Sequence, residues 1–330
     1  MLSYIARRIT SGVLVLFIVS AVVFSIFYVL PADPARLACG KSCTPELMER
    51  IRHAMEIDQP LATQYGRFVK GVFVGRTYNA GTEAQLDCGA PCLGYSYQTD
   101  LPVTSLIKDR LPATLSIAVG ASVLWLLVGL SGGILSALKR GTLIDRGSQA
   151  FALAGASLQI YFVGLILQFI FVNKLEWLPM PGYISPFEMP LEWAKMMVLP
   201  WVTLAFLLSA IYSRLTRSGM IEVMSEDYIR TARAKGLSAR QINFKHVLRS
   251  AITPIVTVFG LDLGALLGGA VITEYVFNIP GLGKLATEAV ANVDMPVITG
   301  TVLLAAIFII SANMVVDIIY SFLDPKVRLK

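Results

Sequence analysis

Stretches of about 20 mostly apolar residues alternate with polar segments along the chain, and each stretch is long enough to cross a bilayer as a helix. Six of them predict six transmembrane helices, within residues 9–30, 111–138, 147–173, 196–213, 250–273 and 295–322. The fourth is short and carries Pro200 near its start, and the fifth and sixth each contain one acid, Asp262 and Asp317. The pattern predicts an all-α integral membrane protein.

Lysines and arginines predict the orientation of these spans. They cluster before the first span, between the second and third, between the fourth and fifth, and after the sixth. Six spans place these four regions on one side, and basic residues favour the cytoplasm, so the N- and C-termini are predicted to be cytoplasmic.

The composition agrees with a membrane protein. Hydrophobic residues make up 55% of the chain and charged residues only 15%, whereas soluble domains carry about 25% charged residues. The mean hydropathy is +0.66. The net charge of +6 is explained by basic residues beside the spans, so we expect contact with membrane lipid and no nucleic-acid partner.

The polar segment between the first two spans is too long for a plain loop. Thr44, followed by Pro45 and Glu46, has the residue types of a helix start, so this segment is predicted to form an extracytoplasmic cap. The cap is either purely structural or a platform for an external partner. The predicted regions are an N-terminal tail with the first helix (1–32), the cap (33–110), and a five-helix core with a cytoplasmic loop at 225–249 (111–330).

All four cysteines lie in the cap, which faces an oxidising compartment, so disulfides are expected there. The candidates are Cys39, Cys43, Cys88 and Cys92. Four cysteines allow three pairings, and we favour pairing within each short segment. The alternative is a four-thiolate zinc site, whose usual spacing includes two-residue gaps. Neither alternative implies catalysis, and no metal is predicted.

The loop at 225–249 is polar, basic and longer than a simple connection requires. Ser225 is predicted to cap a helix that begins with two acids, and Gly236 is predicted to end it in the left-handed conformation. Ser238 and Gln241 then have capping-box spacing. On these residues alone, the loop is either a docking element for a soluble partner or an amphipathic helix on anionic lipid.

The sequence YIRTARAKG at 228–236 resembles the EAA loop of ABC importer permeases, the segment that docks into a cleft of the ATPase subunit. It departs from the general pattern at Arg230, Thr231 and Arg249, where that family has glutamate, alanine and proline. These departures are similar to the dipeptide/oligopeptide branch (B-type permease). That branch also resembles this chain at residues 4–8, at LPATL (111–115) and at EYVFNIPGLG (274–283), but the cysteine-bearing insert has no counterpart in the general family pattern.

The resemblance implies a type I ABC importer permease in the cell (plasma/inner) membrane, forming half of a translocation pathway for di- or oligopeptides. The implied partners are a second homologous permease, two cytosolic ATPase subunits and an extracytoplasmic solute-binding protein. ATP and Mg would be bound by the ATPase subunits, so no cofactor and no catalytic residue are expected in this chain. Accordingly, the sequence contains no G-x-x-x-x-G-K-[ST] phosphate loop.

Three alternatives stay open. The same architecture could import another small solute, such as a nickel complex or glutathione. From other classes, the chain could be a secondary transporter or a membrane sensor whose loop binds a signalling partner.

The resemblance assigns ATPase coupling to eight loop residues: Tyr228, Ile229, Arg230, Thr231, Ala232, Ala234, Lys235 and Gly236. Three polar residues within the spans are hypothesised to line the translocation pathway: Asp262, Gln168 and Asn313. The alternative for these three is packing or hydrogen bonding between spans. Asp317 is predicted to anchor the sixth span or to pair with an arginine.

The segment after the fifth span contains a proline–glycine turn with apolar neighbours. Ile279, Pro280 and Leu282 are hypothesised to form an outer gate that plugs the mouth of the pathway. The alternative is a turn that serves only local geometry.

Overall fold

The computed structural model describes residues 2–29, 34–39, 43–55, 59–78, 85–96 and 98–323. The predicted domain boundary at residues 32 and 33 and the basic C-terminal residues lie outside the described residues. The first helix, the cap and the long second span contain five helices: α1 (Leu2–Val29), α2 (Pro34–Cys39), α3 (Pro45–Met55), α4 (Leu61–Val74) and α5 (Val103–Leu138). Two antiparallel hairpins separate α4 from α5: β1 (Arg76–Tyr78) with β2 (Leu86–Cys88), and β3 (Tyr95–Ser96) with β4 (Leu101–Pro102).

The rest of the described chain forms helices joined by loops, one of which spans residues 175–189. Its helices are α6 (Leu143–Ser157), α7 (Ile160–Gln168), α8 (Pro190–Met224), α9 (Asp227–Ala234), α10 (Ala239–Gln241), α11 (Leu248–Leu267), α12 (Val271–Val276), α13 (Leu282–Asn292) and α14 (Met295–Leu323). Two short π-helical segments, Phe169–Lys174 and Ile242–Val247, extend α7 and join α10 to α11.

Among the described residues, five helical segments are long and apolar enough to cross a membrane, or six if a bent pair of helices counts as one span. The predicted third span is this pair, α6 and α7, which meet at an angle of 101°. The backbone is extended at Leu158 and Gln159, which breaks the helix. The six predicted spans agree with the structure only if this bent pair counts as one span, and the third is not one straight helix.

Two predicted boundaries are wrong. The fourth span is not short, because Pro190 begins α8 and the helix continues through Pro200 to Met224. The fifth span ends at Leu267 instead of continuing to residue 273. Gly269, with φ +135°, ends that helical path, and its backbone lies against Gly283, so residues 271–276 form the separate helix α12.

The core of the bundle lies between α5 and α8. Gly129 and Gly133 of α5 face α8, where a Cβ atom would lie 2.6 Å from Tyr212 Cβ and 2.5 Å from Thr216 Cβ. This approach buries Trp125 and Tyr212 completely. Because Gly129 and Gly133 have no side chains, the backbones of α5 and α8, the two longest helices described, can approach this closely.

The cap has two disulfides, Cys39–Cys43 and Cys88–Cys92, so pairing within each segment is confirmed and the zinc alternative is wrong. The predicted start of α3 is also observed, because the Leu47 amide donates to Thr44 Oγ1 at 3.3 Å. The second hairpin is fixed to the corner between α13 and α14. There Ser96 Oγ donates to the Asp294 carboxylate, and Gln98 Nε2 donates to the Asn292 carbonyl at 2.7 Å.

Candidate functional site

The loop predicted at 225–249 begins later than the sequence indicates. Ser225 does not cap α9; instead its Oγ donates to the Glu222 carbonyl at 2.6 Å, at the end of α8. Glu226 has the extended backbone of the N-cap position and makes no side-chain cap bond. The predicted capping role of Ser225 is therefore wrong, because α8 extends eleven residues beyond the predicted fourth span.

One face of α9 is packed into the protein. Ile229 is fully buried and Ala232 is 9% exposed. They belong to a buried group contributed by α5, α8, α9, the π-helical segment and α11, here named the docking cluster: Ala137, Met220, Ile229, Ala232, Ile242, Val247 and Ala251. At ~25 cal/mol per Å² of buried apolar surface, such packing fixes the helix on the ends of three spans.

The opposite face of α9 is open. Six of the eight predicted coupling residues are exposed: Tyr228, Arg230, Thr231, Ala234, Lys235 and Gly236. The other two, Ile229 and Ala232, cannot contact a partner in this arrangement because they pack inward. The structure thus divides the predicted set into six exposed residues and two buried ones that anchor α9, and their contact with an ATPase stays a prediction.

Local hydrogen bonds fix both ends of the connection to α10. Gly236 adopts φ +80°, and its amide donates to the Arg233 carbonyl at 3.0 Å, as the sequence predicts for a glycine that ends a helix. The capping box of Ser238 and Gln241 is also observed. In addition, Tyr228 Oη donates to Ser250 Oγ at 3.2 Å, which ties α9 to the start of α11.

Asp145 holds the C-terminal parts of α5 and α8 to the start of α6, and sequence reasoning missed it. Its buried carboxylate accepts from Arg217 Nε at 2.7 Å and Nη2 at 3.0 Å, and from Ser136 Oγ at 2.6 Å. The amide of Gly141 and the side chain of Gln149 complete the set. Asp145 and Arg217 are 72 residues apart, and no local pattern links them.

The three predicted pathway residues are not brought together. Asp262 on α11 accepts a hydrogen bond from Tyr212 Oη at 2.7 Å, and Gln168 on α7 donates to the Val276 carbonyl at 2.9 Å. Asn313 is half-buried on α14. Within this chain, Asp262 and Gln168 therefore form hydrogen bonds between segments, as the structural alternative predicts. Their contact with a transported solute stays a prediction. Asp317 pairs with Arg8 at 3.1 Å, as predicted.

The predicted gate residues are not exposed at a mouth. Ile279 and Leu282 are buried and Pro280 is half-buried. The carboxylate of Glu274 lies against Gly281 of the same turn and accepts from Thr114 Oγ1 and from the Lys284 amide, both at 2.8 Å. The motifs at 111–115 and 274–283 thus meet.

Two forces act on the protonation of that carboxyl. Burial raises the pKa of Glu274, and hydrogen bonds from the Lys284 amide, Thr114 and other backbone donors lower it. Burial is the larger of these two effects, so the pKa of Glu274 is raised overall.

The described residues contain five helices, or six with the bent pair, that are long and apolar enough to cross a membrane, which defines a multi-pass membrane protein. Residues 1–118 match the family "Binding-prot-dependent transport system membrane comp, N-term", and residues 129–329 match "Binding-protein-dependent transport system inner membrane component". The chain belongs to this family of ABC importer permeases of the inner membrane, and is a transport component. Such permeases work with ATPase and binding-protein partners.

Relatives match over the whole length. A peptide ABC transporter permease protein, y4tP, of Sinorhizobium fredii is 35% identical over 98% of this chain and 99% of that protein. The glutathione transport system permease protein GsiC of Escherichia coli (strain K12) is 36% identical over 100% of both chains. A structure of the inward-facing MetNI methionine ABC transporter has a TM-score of 0.54 at 18% identity, covering 67% of this chain and 97% of that chain. This last likeness supports the fold alone.

Proposed function

We propose that this chain forms half of the translocation pathway of an ATP-driven peptide importer. A second homologous permease supplies the other half, two cytosolic ATPase subunits bind ATP and Mg, and an extracytoplasmic solute-binding protein delivers the substrate. The full-length similarity to a permease named for peptides supports the substrate class. In this proposal both termini and the loop at 225–249 face the cytoplasm.

The observation that supports the coupling role is that one face of α9 packs on the membrane spans while its opposite face is exposed. An ATPase that binds the exposed residues therefore pushes on a helix that cannot slide freely, because Ile229 and Ala232 hold it to the ends of α5, α8 and α11. Movement of α9 then reorients the spans between inward-open and outward-open states. A flexible loop of the same sequence would dissipate that motion.

Site-directed cross-linking tests this coupling surface. We expect cysteines at Tyr228 or Lys235, both exposed, to cross-link to co-expressed ATPase subunits in membrane vesicles. A cysteine at the buried Ile229 should not cross-link, and one at the exposed Arg140 in the α5–α6 turn is the control for exposure alone. Equal cross-linking from Arg140, or labelling of the cysteine at 235 by an impermeant reagent from the extracytoplasmic side, would reject the proposal.

Asp262 is the residue that we propose to attract the ammonium group of a peptide. Asp262→Asn keeps an oxygen that can accept from Tyr212 Oη, so the packing of α8 and α11 should survive while the charge is lost. We expect kcat/KM for peptide uptake to fall about tenfold, equivalent to about 1.4 kcal/mol. Uptake by reconstituted complex is the measurement. Unchanged uptake and unchanged peptide preference at normal expression would exclude the contact.

Glutathione is a second candidate substrate, because GsiC matches the chain over its full length. Glutathione is itself a small peptide with a free ammonium group, so the proposed role of Asp262 would be the same. Calorimetric titration of the cognate solute-binding protein with di-, tri- and oligopeptides and with glutathione separates the two candidates. Binding of glutathione without peptides would overturn the peptide assignment.

A further inference from the structure

We infer that Thr114 and Glu274, here named the latch, lock α12, the turn at 277–281 and α13 onto α5 as one rigid unit, and that α5 carries the motion of the docking cluster to this outer segment. The inference rests on the proposed function for its transport assay. It concerns residues that contact neither ATPase nor substrate, and it assigns them a positioning role.

The polar contacts of the latch are complete. Glu274 Oε1 accepts from Thr114 Oγ1 at 2.8 Å and from the Ala270 amide at 3.2 Å, and Oε2 accepts from the Lys284 amide at 2.8 Å. Thr114 Oγ1 also accepts from the Leu282 amide at 2.8 Å. One hydroxyl of α5 therefore connects the carboxylate of α12 to the first residue of α13. Both side chains are fully buried, where an unpaired carboxylate would be very unfavourable.

The backbone is built tightly around the carboxylate. A Cβ atom at Gly281 would overlap the Glu274 carboxyl group, and one at Gly283 would lie 2.7 Å from the Val271 amide nitrogen. Phe277 and Leu282 fill hydrophobic clusters on either side of the turn. The turn at 277–281 and α13 therefore have no room to shift relative to Glu274. Any displacement must move α12, the turn and α13 together.

The helix α5 connects this latch to the cytoplasmic face. Ala137, near its other end, is a member of the docking cluster that contains Ile229. Thr114 and Ala137 lie on one uninterrupted helix, about 35 Å apart at 1.5 Å per residue. Displacement of α9 by an ATPase therefore reaches the outer segment through a single rigid element, provided that the latch holds.

The hydroxyl of Thr114 can be removed with almost no change of shape. Thr114→Val should leave the Leu282 amide and one carboxylate oxygen short of a partner, whereas Thr114→Ser keeps the hydroxyl. The matched control is Thr203→Val, since Thr203 is also fully buried but donates only to the Leu199 carbonyl of its own helix, at 2.8 Å. Peptide uptake and ATP hydrolysis are measured on the assembled transporter in vesicles.

We expect Thr114→Val to lower uptake about tenfold, or about 1.4 kcal/mol, while ATP hydrolysis stays within about twofold. Thr114→Ser and Thr203→Val should keep uptake within about twofold of wild type. Wild-type uptake by Thr114→Val, or an equal loss in Thr203→Val, overturns the latch. So does a loss of hydrolysis parallel to the loss of uptake, because uncoupling is the specific expectation.

A second measurement needs neither a folded Thr114 variant nor a substrate. Spin labels at Leu115 on α5 and Tyr275 on α12, both exposed, should keep the same separation in nucleotide-free and ATP-bound complex. A separation that changes between these states overturns the rigid unit. Failure of wild-type complex to take up peptide would instead reject the proposed function, and the label distance would still decide the latch.

Discussion

A Gly236→Val variant is expected to lose about nine-tenths of the uptake activity, while Gly236→Asn keeps most of it. Gly236 has φ +80° at the end of α9, and a Cβ atom there would meet only open space. The effect of valine is therefore conformational: the left-handed conformation costs a non-glycine residue about 1–2 kcal/mol, and more for a β-branched side chain. Asparagine tolerates it.

The strain is relieved by unwinding the last turn of α9, which moves Lys235 away from the surface proposed to meet the ATPase. A fraction of about one-tenth in the correct geometry corresponds to about 1.4 kcal/mol, within the range of the strain. Uptake and ATP hydrolysis should be compared in vesicles at equal amounts of assembled complex. Similar uptake by the valine and asparagine variants would show that the backbone conformation at this position does not matter for coupling.

The sequence predicts those parts of the fold that local patterns specify. The ends of the α9–α10 connection follow from Gly236 and from the Ser238 capping box, and both are observed. The pair of Asp317 with an arginine also follows, because a charge at the end of a span needs a partner. These features depend on a few neighbouring residues or on one general cost of membrane burial.

The bend in the third span could not be predicted in the same way. Ser157, Leu158 and Gln159 include neither glycine nor proline, so the usual signals of a helix break are missing. Hydropathy counts apolar residues along a segment without recording its direction, so two helices at 101° give the same signal as one.

The burial of the predicted gate has a different cause. The sequence shows that Ile279 and Leu282 are apolar, but not that they are buried. Their burial depends on a hydrogen bond between Thr114 and Glu274, which are 160 residues apart. The predicted cap at Ser225 is wrong for a related reason. The helix α8 continues to Met224, and its residue Met220 packs in the docking cluster. Tertiary packing decides such helix boundaries, so a single amino-acid sequence does not reveal them.

Neutralising Asp145 is expected to give a large loss of stability where α5, α6 and α8 meet. Asp145→Asn leaves the Arg217 guanidinium, only 24% exposed, without its anionic partner, and breaking such a pair from one side is strongly destabilising. We expect the midpoint of thermal unfolding in detergent to fall by roughly 5–10 °C. Because Ser136 and Arg217 lie next to Ala137 and near Met220, the docking cluster should loosen and uptake should fall with it.

The expected recovery and the control make this loss specific. The double variant Asp145→Asn with Arg217→Met removes the uncompensated charge as well, so part of the stability should return. Glu192→Gln breaks the exposed pair between Glu192 and Lys195, whose atoms lie 2.8 Å apart, and should shift the midpoint by no more than about 2 °C because solvent screens that pair. If Asp145→Asn were as mild as Glu192→Gln, the hydrogen-bonded carboxylate would not be what holds α5, α6 and α8 together. The rigidity of the coupling surface would then have to come from apolar packing alone.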